Sequence, residues 1–219
     1  MKVNRTMATR AALDLLNEVG LERLTLRLLA AKLKIQAPTL YWHFRSKEEL
    51  IDEMASLVLA EGAPQLLPKS ESPDWTVWAA RFGHGLRKTL LEYRDGARMV
   101  SGTRLTNTEY MRAAERLGAK LIASGFSLRE AIVLLSTIYD YTLSVAIEEQ
   151  SMQPRRGERA RQYDLAEREA RLGAEELPLL GKAGTILFGN FERRYKEGLA
   201  LIVSGAEPHR ATRRKQRTK

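Results

Sequence analysis

The sequence predicts an all-α protein, with an N-terminal three-helix head that contains a helix-turn-helix and a larger helical body behind it. Three observations carry this. Apolar residues recur at helical spacing from Ala8 to Ile202, capping residues stand at the starts of those stretches, and the second and third helices are only three or four residues apart.

The first helix holds Ala8, Ala12, Leu15, Leu16 and Val19 on one face and ends at Gly20, where glycine relieves the cost of a left-handed residue. Thr25 caps the second, whose apolar face is Leu26, Leu29, Ala30 and Leu33. After a break at Lys34-Ile35-Gln36, Pro38 suits the first turn of a very short third helix reaching Phe44. Ser46 and Glu49 have the spacing of a capping box, opening a fourth helix from Lys47 to about Ala60 that tethers head to body.

Pro64 to Pro73 reads as a loop. A fifth helix begins near Asp74, carries Trp75, Trp78, Phe82, Leu86 and Leu90 in a stripe, and ends at Tyr93-Arg94-Asp95-Gly96. Another covers Glu109 to Ala123. Ser127 then caps a long helix to about Gln150. Its stretch from Ala131 to Ile147 is apolar almost all round and needs cover on both sides. The body supplies one side; a partner chain or a ligand cavity supplies the other most economically, although the central helix of a monomeric bundle has the same pattern. Pro154 to Glu176 is dense in charge and reads as a solvated loop or surface helix, or else a lid. The last helix carries Phe188, Phe191, Tyr195, Leu199 and Ile202. The division expected is therefore a head over 1–46, a body over 47–207 and a disordered basic tail over 208–219.

The net charge is +9, but the six basic residues from Arg210 to Lys219 account for most of it, and the rest of the chain carries only +3. The absence of cysteine excludes disulfides and thiolate chemistry and agrees with a cytoplasmic protein. No apolar signal-peptide core follows Met1, and the apolar run at Ala131–Ile147 contains Asp140 and is short for a membrane span. A nucleophile–base pair, a glycine-rich phosphate loop, a metal-ligand cluster and usefully spaced paired carboxylates are all missing, which argues against an enzyme.

Local charge is more informative than total charge. Arg23, Arg27, Lys32, Lys34, Arg45 and Lys47 surround the third helix, against Glu22 as the single acid between residues 20 and 47. That helix offers Thr39, Tyr41, Trp42 and His43, more hydrogen-bonding and aromatic groups than so short an element can bury. A polar-aromatic helix with a cationic rim suits a DNA major groove, with charges on phosphates and side chains at base edges. A small bundle with Tyr41 and Trp42 in its core is the competing reading.

Leu24-Thr25-Leu26-Arg27, Leu33, Ile35, Pro38-Thr39-Leu40-Tyr41-Trp42-His43-Phe44 and Lys47-Glu48-Glu49-Leu50 together resemble the DNA-binding signature of the tetracycline repressor (TetR) family. This resemblance implies that Thr25, Arg27, Gln36, Ala37, Pro38, Thr39, Tyr41, Trp42, His43 and Lys47 sit at the double-stranded operator. Two departures stand out. Lys34 occupies a turn position where the family usually has glycine, and Ala37 replaces a base-reading amide of the tetracycline repressors. Further on, Leu90 to Ala97, Gly102-Thr103-Arg104, Gly125 to Arg129, Tyr141-Thr142-Leu143 and Glu148-Glu149-Gln150 are similar to the tetracycline-repressor core.

The second resemblance implies a homodimer with an effector cavity under the long helix, lined by Ala63, Phe82, Leu86, Val100, Thr103, Arg104, Leu117, Ile138, Asp140 and Glu148. In tetracycline repressors the cavity holds a magnesium-chelated drug through histidines and polar amides. Here Ala63, Phe82, Val100 and Asp140 stand at such places, His43, His84 and His209 are scattered, and Val100 cannot ligate magnesium. The expectation is an apolar or aromatic small-molecule effector with no metal or other cofactor. Asp140 and Glu148 provide a polar or cationic handle, unless Asp140 pairs structurally with Arg104 or Arg116. A repressor that splays its two heads when the effector binds, with the fourth helix as lever, is the mechanism implied. A DNA-binding regulator without an effector is the alternative.

Overall fold

The computed structural model describes residues 3–69, 72, 74–154, 160, 164–172 and 177–217, with side chains unspecified at 172 and beyond 206. Among these residues every regular element is helical. The head comprises α1 (Arg5–Val19), α2 (Leu26–Leu33) and α3 (Ala37–Tyr41), and α4 (Lys47–Gly62) leads into the body. Each start has a local cause. The Asn4 carboxamide accepts a hydrogen bond from Met7 N at 2.8 Å, and the Thr25 hydroxyl accepts from Leu28 N at 3.2 Å. The Ser46 hydroxyl accepts from Glu49 N at 3.2 Å, but the return half of the expected capping box is missing. Glu49 instead accepts from Arg45 N at 2.7 Å and from the Arg5 guanidinium, and these two partners hold its carboxyl below the ordinary carboxylate range. Apolar faces of α1 and α2 close on Leu40, Phe44 and Leu50, all buried.

A 3-10 turn (Ala63–Gln65) follows α4, and then come α5 (Trp75–Leu91), α6 (Gly96–Val100), α7 (Glu109–Ala123), α8 (Leu128–Met152), α9 (Leu165–Leu172), α10 (Pro178–Phe188) and α11 (Phe191–Arg217). The expected stripe on α5 is buried throughout, against α8 and α7. Ser127 and Glu130 form a complete capping box at the start of α8. This helix is long and apolar enough to span a membrane by length and composition alone, but it packs against α5, α6, α7 and α11 as the central element of the body. The buried side chains form one continuous cluster from Ala8 to Val203.

Several elements differ from expectation. The third helix ends at Tyr41 instead of Phe44, and His43 N and Phe44 N both turn back to Leu40 O. The five-residue α6 is too short for periodicity to reveal. Gly96 is required at its start, because a Cβ there would meet Leu90 O at 2.3 Å. In the charge-dense segment, α9 is a surface helix; residues 155–159, 161–163 and 173–176 lie outside the described residues. Helix α10 has no counterpart in the sequence expectations, which place nothing regular between Glu176 and Phe188. Phe188 closes α10 rather than opening α11, which starts after Asn190, whose side chain accepts from Arg193 N at 2.9 Å. The basic tail expected to be disordered continues the α11 backbone to Arg217. Arg, Lys, Gln and Ala are good helix formers, and extending an existing helix avoids the cost of nucleation.

Candidate nucleic-acid interface and its coupling to the body

Leu40 points into the head core with 0% exposure, so its neighbours on the short α3 face outward. Tyr41 is 57% exposed and Trp42 89%, which removes the reading that placed both in the core. Thr39, Pro38, Gln36, Arg27 and Thr25 are also exposed, Ala37 and His43 are half-buried, and all lie on or beside α2 and α3. So exposed an indole takes no part in the head core.

Two of the expected contact residues have work inside the head. The Thr25 hydroxyl is engaged as the α2 cap. Lys47 is half-buried, and its ammonium donates to Leu21 O at 2.9 Å and to Glu22 O at 3.4 Å, tying the start of α4 to the turn between α1 and α2. Arg5 is a positioning residue that the sequence reading missed. It donates to His43 O, to Glu49 at 3.0 Å and to Glu53 at 3.1 Å, and lies 4.8 Å over the Phe44 ring.

Lys34 adopts φ 55°, ψ 41°, the left-handed geometry that its place in the turn demands. A non-glycine residue pays about 1–2 kcal/mol for this. Since glycine gives back roughly 0.5–1 kcal/mol of that as extra freedom of the unfolded chain, Lys34→Gly raises stability by about 0.5–1 kcal/mol. Thermal unfolding checks this as a rise of roughly 1–4 °C. Lys34 is exposed, so the same change weakens operator binding if its ammonium neutralises a phosphate.

Where the end of α1 and the turn after it meet the α5–α6 corner, the contacts are polar. Arg94 N donates to the Asn17 side chain at 2.9 Å, the Arg94 guanidinium to Glu18 O at 3.2 Å, and Leu21 N to Asp95 at 2.9 Å; Arg98 pairs with Glu22 at 3.3 Å. Beneath it, Gln150 at the end of α8 accepts from Ala97 N at 3.0 Å and donates to Leu90 O at 3.1 Å and Tyr93 O at 2.8 Å. A second link joins the loop after α6 to α4: Arg104 N donates to Asp52 at 2.9 Å and Thr106 N to Ser56 at 2.7 Å.

The expected cavity residues separate into two groups. Phe82, Leu86, Val100, Leu117 and Ile138 are buried in the shared interior of α5, α6, α7 and α8, and Ala63 lies at its edge. Thr103 is half-buried and donates to Val100 O at 2.8 Å, while Arg104 and Asp140 are exposed. Asp140 makes no ion pair with Arg104 or Arg116. The Glu148 carboxylate is already paired with Arg194. Of the polar residues expected around the ligand, none reaches the apolar interior with a free charged group. No local signal marks Arg87, which is 8% exposed on α5 and donates to Glu149 of α8 at 2.9 and 2.7 Å and to Glu192 of α11. It also lies 5.3 Å over the Tyr195 ring, so one guanidinium joins three helices.

Comparison with known proteins agrees with this architecture. Residues 8–54 match the family of bacterial regulatory proteins of the tetR type, and residues 67–209 match the tetracyclin repressor-like C-terminal domain. The chain is 37% identical over 209 residues to the class A tetracycline repressor from transposon 1721 of Escherichia coli, covering 95% of this chain and 93% of that protein. A crystal structure of a possible TetR family transcriptional regulator from Streptomyces coelicolor A3(2) superposes with a TM-score of 0.84 at 32% identity, over 94% of this chain and 100% of that one. The class A TetR in complex with 5a,6-anhydrotetracycline and magnesium superposes with a TM-score of 0.66 at 32% identity, over 94% and 98% of the two chains. An outward aromatic helix on a capped head, a helical body and similarity along nearly the whole length place this chain in the TetR family of bacterial transcriptional regulators.

Proposed function

We propose that this chain is a cytoplasmic repressor that holds a palindromic operator as a homodimer and lets go when a small apolar or aromatic effector enters the body. Residues 1–46 read the DNA and residues 47–207 bind the effector and the partner. The exposed Trp42, with Tyr41 and Thr39 beside it, is the observation that carries the reading. Dimerisation is supported by apolar surface on α8 and α11, where Ile132 is 55% exposed and Leu201 74%. It also fits the geometry of two heads spaced one DNA turn apart. Ile132→Glu is expected to weaken the dimer at least tenfold, measured by sedimentation equilibrium, by placing a charge in the core of that contact.

Magnesium does not fit the residues present. Val100 is buried and offers no ligand atom, Thr103 spends its hydroxyl on Val100 O, and among the described residues no three His, Cys, Asp or Glu side chains converge. An effector held by Phe82, Leu86, Val100, Leu117 and Ile138 is bound by apolar contact. Occupation strains the loop after α6, which is hydrogen-bonded to α4 through Asp52 and Ser56, so α4 can convey the change to the head. Moving a two-state equilibrium from 1:99 to 99:1 takes about 5.5 kcal/mol of differential affinity.

The test is a footprint on the DNA upstream of the protein's own gene, followed by a screen for compounds that release the complex. The expected result is release by apolar aromatics equally with and without magnesium; a strict magnesium requirement overturns it. Burial of all five interior side chains favours a second reading, a regulator without an effector, in which no compound changes operator dissociation. Neither reading assigns the chain a catalytic step.

A further inference from the structure

On the outer face of α5, away from the apolar interior, a cavity of about 690 Å³ opens between α5, the start of α11 and the turn after α4. Arg81, His84, Arg87 and Lys88 of α5 and Glu192 and Lys196 of α11 form most of its wall. The charges do not balance. Glu192 is already satisfied by Arg87 and by Lys196 at 2.8 Å, and Glu92 at the rim is reached by Gln65 at 3.5 Å. Arg81 and Lys88 have no ion-pair partner among the described residues. With His84 neutral, four cations and two carboxylates leave the wall at +2, or at +1 once Glu149, which also pairs with Arg87, is counted.

Two donors in this wall also lack an acceptor. The Nε atoms of Arg81 and Arg87 are buried without a hydrogen-bond partner among the described residues, and Arg87 as a whole is 8% exposed. An unmade buried donor is costly, and a charged donor more so, which leaves these two guanidiniums incompletely satisfied by the chain. His84 lies edge-on to Tyr195 with ring centroids 5.5 Å apart. Burial holds this imidazole below its ordinary range, helped by Lys196, Arg87 and Arg81 and opposed by Glu192, so it gives the wall a neutral hydrogen-bonding group between the cations. Arg81 and Lys88 are seven residues apart, about 10 Å along the helix, which suits a ligand with more than one acidic group.

We infer that this α5–α11 groove binds a small organic polyanion bearing carboxylate or phosphate groups, at a site separate from the apolar interior. Arg81 and Lys88 supply the unpaired charge, His84 a neutral contact, and Arg87 a donor held in place by Glu149 and Glu192. Because the site is apart from that interior, it stands or falls independently of the repressor reading.

The experiment follows the three histidines of the full-length chain by NMR while acetate, citrate, inorganic phosphate or pyrophosphate is titrated at constant ionic strength, with calorimetry in parallel. The expected result is a saturable shift of the His84 ring with citrate or pyrophosphate, and at least tenfold weaker binding in the double variant Arg81→Gln, Lys88→Gln. The variant Arg112→Gln, Arg116→Gln removes the same charge from exposed positions on α7 and should bind as the parent does. Saturation by citrate alone identifies carboxylates as the ligand class, and by pyrophosphate alone phosphates. No saturable shift with any of the four, or equal binding by the Arg81/Lys88 variant, overturns the inference.

Discussion

Replacing Thr39, Tyr41 and Trp42 together with alanine lowers operator affinity at least about a hundredfold, since each good base-edge contact contributes roughly 1–3 kcal/mol. The loss is one of binding alone. All three side chains are exposed, so each change alters folding stability by no more than about 0.5 kcal/mol. Residual binding retains most of its salt dependence, because Arg23, Arg27 and Arg45 still neutralise phosphates. Fluorescence anisotropy with labelled operator at two salt concentrations reads both quantities. Undiminished affinity in the triple variant would remove the assignment of α3 to the groove. Leu40→Ala makes the contrast: it hollows the head core, so binding and stability fall together.

Arg87→Leu has the largest expected effect on folding. The guanidinium is the partner of Glu149, whose side chain is 15% exposed, and removing it strands a carboxylate between α5 and α8. Breaking a buried pair on one side costs about 3–5 kcal/mol. For a chain of this size that corresponds to a melting point lower by roughly 6–20 °C. The double variant Arg87→Leu, Glu149→Leu recovers most of the loss, because apolar side chains of similar volume replace a buried ion pair at little net cost. Urea unfolding of the three proteins measures the series, and a single variant as stable as the parent refutes the role given to the network.

Most of the head was legible because its signals are local. Thr25 and Pro38 act within a few residues of themselves, and the faces of α1 and α2 repeat often enough to register. At Lys34 the sequence leaves the turn open, because a lysine there either accepts the cost of the left-handed conformation, as the structure shows, or forces a different turn. Helix α6 failed to register because five residues cannot display a period, and α10 because the break at Gly189-Asn190 falls inside one apolar stripe. In the body, burial of Phe82, Leu86 and Ile138 followed from the pattern, but the fate of the charges did not. Glu148 pairs with Arg194, 46 residues away, and Arg87 with Glu192, 105 residues away. Partners that far apart are decided by how helices stack, which no local spacing encodes.

The contacts of Arg94, Asp95 and Arg98 with Asn17, Glu18, Leu21 and Glu22 have a mechanical consequence. Every one of them can be exchanged for water, and such an exchange changes the free energy by only about 0.5–1.5 kcal/mol per hydrogen bond. The head, by contrast, is held internally by close-packed leucines that have no substitute in solvent. The apolar cluster runs on from α1 into α4, so the head and α4 are expected to turn together while these polar contacts trade with solvent, at an energy that a ligand of ordinary affinity can supply.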